Sequence, residues 1–263
     1  MYIENSFLHV PGVGETTERR LWEQGITHWD EFDGSEATVG PTLADRIEAA
    51  LEEGRRHLEA GDVTPFAEAL PASSSWRFYE NVRDDVCYLD IETTGLDATR
   101  HDVTTVSVHR GGETRTYVNG RDLTVDRLSA EFEDAAALVT FNGQRFDVPF
   151  LETAFDVEVA LPHIDLMYPC RKLDLTGGLK RIETDLGIGR DQPDIDGREA
   201  VRLWHQYERG DDDALDRLIR YNQADTANLE PLMETVATRL HQRVFERVCV
   251  DAGGTVPGTR SHD

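Results

Sequence analysis

Apolar positions along the chain fall into two periods. Val86, Cys87, Tyr88, Leu89 and Ile91 form a short β-favouring run closed by Thr and Gly, which predicts a buried strand. Asp102 to Arg110 and Glu113 to Gly120 alternate apolar with polar and are separated by Gly111 and Gly112, which predicts a hairpin. Ala137, Leu138, Val139 and Phe141 predict a fourth strand, leading into a helix-like VPFLETAF. From Asp211, the residues Leu215, Leu218, Leu229, Leu232, Met233 and Val236 recur at helical spacing and predict one long amphipathic helix, bent where Pro231 removes a backbone donor. Three consecutive strands followed by alternating helix and strand predict an α/β domain with a mixed sheet over residues 84–242.

Ahead of that domain the pattern is helical. Pro41 to Ala60 places Leu43, Ile47, Ala50 and Leu51 on one face, with Pro41 suited to a helix start. Residues 1–60 are therefore expected to form a small all-α domain. Residues 61–83, with Pro65, Pro71 and the run Ser73, Ser74, Ser75, are expected to form a linker. Residues 243–263 are expected as a C-terminal extension whose last dozen residues are a loose tail.

The predicted first strand ends in an unusual way. Asp90 and Glu92 lie two apart, so a strand that runs through them projects both carboxylates from one face. Two like charges in a partly buried place repel and lose hydration, and they stay ionised only if something positive sits between them. Oxygen-only ligands favour a hard cation such as Mg²⁺ or Mn²⁺. A third acid, Asp225, continues the apolar stripe Leu218, Tyr221, Leu229 of the long helix, with Tyr221 one turn before it. A fourth, Asp147, ends the segment Asn142 to Asp147 at a strand-to-helix junction.

Together DIETTG from Asp90, NGQRFD ending at Asp147 and YNQAD from Tyr221 resemble the three motifs of the DEDD superfamily of ribonuclease H-like 3′-to-5′ exonucleases, in its tyrosine-bearing branch. Trp76 and Arg77 before the first strand, HIDL at His163 and GGLKRIETDLGI from Gly177 are further similar to the YprB-type members, over roughly residues 76 to 240. The resemblance implies a ribonuclease H-like fold and a catalytic set of Asp90, Glu92, Asp147, Tyr221 and Asp225. In it Asp90 and Asp225 would hold two Mg²⁺ or Mn²⁺ ions directly, and Glu92 would ligate the one that activates water. Asp147 would support the second through water, and Tyr221 would orient the attacking water. It implies hydrolysis of single-stranded DNA or RNA. The alternative is a noncatalytic nucleic-acid-binding or scaffold protein that keeps the fold.

Composition sets limits on the rest. No run approaches the roughly 18 apolar residues of a membrane helix and no leader is apparent, so a cytoplasmic protein without a membrane partner is expected. Cys87, Cys170 and Cys249 lack metal-ligand spacing and are expected as buried or free thiols. The formal net charge is −24, and the basic residues are nearly all Arg, with Lys only at Lys172 and Lys180. That balance suggests a halophilic protein, for at molar salt the Debye length falls to roughly 3 Å and repulsion from a polyanion is screened. Affinity would then rest on short-range contacts rather than on counterion release.

Two further segments bear on nucleic acid. Phe7 to Phe32 resembles a helix-hairpin-helix motif, in which Gly12 and Gly14 permit a tight turn and the next helix's amides face a phosphate. A purely packing role is the competing reading. Arg171, Lys172, Lys180, Arg181 and Arg190 cluster in an otherwise acidic chain, and with Asn142 are candidate contacts to a single strand. Pairing of these charges with Asp174, Glu183 and Asp185 on a helix surface is the other reading. His163 with Asp165 is expected to be structural, and Trp204 with Tyr207 to be core.

Overall fold

The computed structural model describes residues 1–133, 135–189 and 195–251. The chain divides into two compact units, one of Met1–Asn81 with the residues from Val236 onward, the other of Val82–Thr235. The expected tail over 252–263 and Arg190 lie outside the described residues.

The first unit is helical, with α1 (Glu15–Glu23), α2 (Pro41–Glu59), α3 (Thr64–Ala69) and the short α4 (Tyr79–Val82) that leads out of it. Pro41 opens α2, as its missing N–H and fixed φ allow. No α-helix precedes Gly12 among the described residues; Ile3–Asn5 is a 3₁₀ turn, followed by further turns. The stretch 61–83, expected as a linker, is folded, carrying α3 and a 3₁₀ helix over Ala72–Phe78. Its Phe66, Trp76 and Phe78 are buried, and that apolar surface outweighs the turn-forming Pro and Ser around it.

One buried ion pair ties this 3₁₀ helix to α1. Arg77 Nη1 donates to Glu18 Oε1 at 2.9 Å, and Glu18 also accepts from Ser6 Oγ and the Phe7 N–H. The Arg77 guanidinium lies over the rings of Trp22 and Trp76, 5.6 and 5.5 Å from their centroids. Burial pushes the Glu18 carboxyl up and the Arg77 guanidinium down, so desolvation exceeds the attraction within the pair.

The second unit is built on a five-stranded mixed sheet, order β3-β2-β1-β4-β5. Its strands are β1 (Val86–Thr93), β2 (Val103–Arg110), β3 (Glu113–Val118), β4 (Ala137–Thr140) and β5 (His163–Asp165). The first three run antiparallel, and β4 and β5 follow β1 in parallel. Gly111 and Gly112 both take positive φ, +58° and +77°, which closes the two-residue turn of the β2–β3 hairpin. The helices of this unit are α5 (Val125–Glu133), α6 (Asp147–Phe155), α7 (Met167–Lys172), α8 (Leu179–Leu186), α9 (Gly197–Tyr207), α10 (Asp212–Ala227) and the start of α11 (Leu229–His241). A π-helical turn, Gln242–Glu246, and α12 (Arg247–Asp251) follow in the first unit.

Helices cover both faces of the sheet. Cys87, Leu89 and Ile91 of β1 point to the face packed by Leu128 of α5 and Phe150 and Leu151 of α6. The opposite face carries Tyr88, Asp90 and Glu92 and lies under α10. The long helix expected from Asp211 to Val236 with a bend at Pro231 is two helices that meet at Asn228. Pro231 cannot donate to the carbonyl of Ala227, so the α10 ladder stops there and a new one starts. Trp204 is buried beside Leu203, Leu215 and Leu218, as core. All three cysteines are buried and free.

His9 of the first unit gives a test of its packing. The ring sits 5.2 Å from Trp29 and 5.3 Å from Phe66, and burial lowers its pKa from 6.5 to about 4. The unfolded chain therefore takes up this proton first as pH falls, and the stability present above pH 6.5 is lost between 6.5 and 4. That loss is about 3 kcal/mol. His9→Phe is expected to remove most of it, read as a smaller drop in the urea midpoint between pH 7 and pH 4.5. An equal drop in both proteins would refute this assignment.

Candidate metal centre

The site grows from the central strand. In β1, Asp90 pairs with Ser107 and Glu92 with Thr105 of β2, so both carboxylates stand on the face beneath α10. The β1–β2 register shifts between Glu92 and Thr93, so regular pairing ends just past the second acid. α10 crosses that face and presents Tyr221 and Asp225 four residues apart, both buried. One oxygen from each of Asp90, Glu92 and Asp225 lies within 4.8 Å of the others.

Asp147 comes from the other side of β1. It is the first residue of α6, buried, and its Oδ1 accepts the Ile91 N–H at 3.1 Å. The loop that delivers it is wired to the end of β5, where Asp165 accepts from the N–H groups of Asn142 at 2.7 Å, Gln144 at 3.2 Å and Met167 at 3.1 Å. His163 bonds the Thr140 hydroxyl at 2.8 Å, so His163 and Asp165 serve the framework rather than a second cluster. Asn142 takes a left-handed φ of 67°, a conformation Asn tolerates better than most residues.

Electrostatics show what the crowding costs. Burial, then the charges of Asp90 and Asp147, push the Glu92 carboxyl well above its ordinary range, with Lys180 opposing the shift. Burial and Asp90 do the same to Asp147, against the Ile91 N–H. Without a cation, burial and the neighbouring acids make these groups keep their protons to higher pH than exposed carboxyls do.

A hard divalent ion fits the donor set. Ligand oxygens about 2.0–2.6 Å from such an ion stand up to roughly 4–5 Å apart, the span that Asp90, Glu92 and Asp225 enclose. Asp147 lies outside that group of three, with one oxygen engaged on β1.

The candidate nucleic-acid contacts separate. Lys180 of α8 is drawn to the site, its Nζ 4.6 Å from the Tyr221 ring centroid. Arg181 is exposed and pairs with Asp185 at 2.9 Å, as in the helix-surface reading. Glu183 is buried and accepts from Asn228 Nδ2 at 3.0 Å. Arg171 and Lys172 end α7, the first exposed and the second half-buried. Gly12 and Gly14 belong to the other unit. Gly12 has φ +95°, and an added Cβ there would stand 2.8 Å from Arg46 Nη1, which donates to the Pro11 carbonyl. Gly14 caps α1.

Two features beside the acids are not among the predicted site residues. One is Asn222, fully buried three residues before Asp225, whose helical spacing was a usable signal. The other is a cavity of about 560 Å³ beside Glu92, lined also by Thr93, Leu96, Phe146 and Arg198. Leu96 is 86% exposed at its rim. No local pattern announces a cavity formed by such distant segments.

A family model described as the RNase_H superfamily matches residues 87–237. Brucella melitensis NrnC with bound Mg²⁺ is 19% identical with a TM-score of 0.47, covering 66% of this chain and 83% of NrnC. NrnC bound to pGG is 18% identical, also with a TM-score of 0.47 and the same coverage. The family B DNA polymerase from the hyperthermophilic archaeon Pyrobaculum calidifontis is 20% identical with a TM-score of 0.48, covering 65% of this chain. The chain spans only 27% of that polymerase. No curated protein matches the sequence.

The raised carboxyls have a measurable consequence. Glu92 and Asp147 titrate in the folded, metal-free chain above their ordinary values of 4.5 and 3.8, so the native state binds the extra protons. Stability then falls as pH rises through that window and stays lower above it. Glu92→Gln is expected to raise the metal-free Tm at pH 8, by roughly 2–4 °C per kcal/mol relieved, and to leave it unchanged at pH 4. Differential scanning calorimetry in chelator checks this, and a lower Tm at pH 8 would contradict it.

Proposed function

We propose that this chain, which belongs to the RNase_H superfamily, is a metal-dependent 3′-to-5′ exonuclease acting on single-stranded DNA or RNA in a salt-rich cytoplasm. The observation that carries the reading is the approach of the Asp90, Glu92 and Asp225 oxygens to within 4.8 Å, with Asp147 held against the same strand. Such a cluster is costly unless a cation offsets its charge.

Two Mg²⁺ or Mn²⁺ ions bound there would activate the attacking water and stabilise the leaving 3′ oxygen of an in-line displacement. In this reading Asp90 and Asp225 hold them directly. Glu92 would ligate the ion that activates water, and Asp147 would support the other. The Tyr221 hydroxyl would orient the attacking water, and no covalent nucleophile is required.

The cavity beside Glu92 supports action at a strand end. Its volume of about 560 Å³ lies within the range of small-ligand sites and suits one terminal nucleotide. Leu96 and Phe146 offer apolar surface to the base, and Arg198 a cation to its phosphate or edge. The turn at Gly12 and Gly14 is a candidate grip on the backbone, and Asn142, Arg171, Lys172, Lys180 and Arg181 are candidate strand contacts. Among the described residues no helix is long and apolar enough to cross a membrane.

The test uses full-length protein in high potassium chloride with Mn²⁺ and 5′-labelled DNA and RNA oligonucleotides of matched sequence. A ladder of shortening products, abolished in Asp90→Ala and Asp225→Ala, is expected. Binding without degradation would sink the enzyme reading in favour of a noncatalytic binding protein, and a single internal cut would make it an endonuclease. For the cavity, Leu96→Ala is expected to raise KM about tenfold and change kcat less, since the lost apolar contact is worth about 1.5 kcal/mol. An unchanged KM would remove Leu96 from the substrate site.

A further inference from the structure

Asn222 occupies an unusual place on α10. It is fully buried, and its Nδ2 lies 2.7 Å from Asp90 Oδ2 and 3.3 Å from the Asp90 carbonyl oxygen. Its Oδ1 lies 2.9 Å from the Thr105 hydroxyl. Chemistry sets the direction of both bonds. An ionised carboxylate only accepts, so the amide must turn its NH₂ to Asp90, and the Thr105 hydroxyl must then donate to the amide oxygen.

The result is a relay of donors from β2 through α10 to β1. It starts at Thr105, the cross-strand partner of Glu92, and ends on Asp90, so it spans the strand pair that carries two of the three clustered acids. Two properties distinguish this relay from ordinary filling of a core. The donor facing Asp90 is neutral, so it orients the carboxylate without competing with a divalent ion, as an ammonium or guanidinium would. The amide is also held from behind, so one oxygen of Asp90 is committed and the direction of the other is set before any ligand arrives.

We propose that Asn222, braced by Thr105, is a positioning residue that pre-orients Asp90 for divalent-ion binding. The inference rests on the metal-nuclease reading above. Removing the brace takes away the restraint that Asn222 places on Asp90, whose rotamer can then shift to lower its repulsion with Glu92 and Asp147, and the ion must reorder it.

Calorimetric titration of the full chain with Mn²⁺ gives the primary readout, with kcat and KM on a labelled oligonucleotide and Tm in chelator beside it. Asn222→Ala is expected to weaken Mn²⁺ binding by roughly 10–100-fold and to lower kcat while KM for the oligonucleotide stays unchanged. Thr105→Val, which removes only the hydroxyl, keeps the fold accessible if Asn222→Ala does not fold, and is expected to give a smaller loss of the same kind. The double variant is expected to be no worse than Asn222→Ala, because both changes cut one relay.

Wild-type Mn²⁺ affinity and kcat in a folded Asn222→Ala, or in Thr105→Val, would overturn the inference alone. So would fully additive losses, or losses confined to Tm. A wild-type chain that binds no Mn²⁺ and degrades nothing would overturn the nuclease reading together with this one.

Discussion

The repulsion among carboxylates at the end of β1 is the constraint around which the second unit is organised. Asp90, Glu92 and Asp225 converge, Asp147 adds its charge from α6, and burial denies Glu92, Asp147 and Asp225 the water that would ease the crowding. A fold left to lower its own energy would separate these groups or replace them. This one holds them from three directions, by the register of β1 on β2, by the packing of α10 and by the bond from Ile91 to Asp147.

The rest of the unit serves to resist that repulsion. β1 lies at the centre of the sheet, paired on both edges, and its other face is sealed by Leu89 and Ile91 against α5 and α6. The Asp165 carboxylate gathers three backbone N–H groups and so fixes the loop that starts α6. The break at Asn228 lets α10 end once Asp225 has been placed, and Asn228 itself turns to Glu183 of α8. α8 in turn sets Lys180, the cation that eases Glu92. Stability is given up at the acids and recovered in the surrounding core, an arrangement that favours a bound cation over an empty site.

The first unit shows the opposite treatment of buried charge. Glu18 and Arg77 neutralise each other among tryptophan rings, with Ser6 and the Phe7 N–H completing the carboxylate's bonds. A charge that is paired inside the chain is a structural element, whereas acids brought together without enough cations form a site.

Much of this was legible in the sequence because it depends on local period. The β1 run, the hairpin turning on Gly111 and Gly112, and the apolar stripe bearing Tyr221 and Asp225 each follow from residues within one element, where side-chain direction is set by backbone geometry. Pro231 likewise marks where the helical ladder is interrupted, though its missing donor predicts a bend and the structure has two helices. The folded state of residues 61–83 was not legible, since Pro and Ser signal turns whether or not Trp76 and Phe78 beside them find a core. Nor was the relay through Asn222, which joins side chains 132 positions apart. The sequence by itself determined which residues carry charge and which face of its own element each occupies. Only the tertiary structure decided which of those faces meet, because the distance between α10 and β1 is set by packing that no local pattern contains.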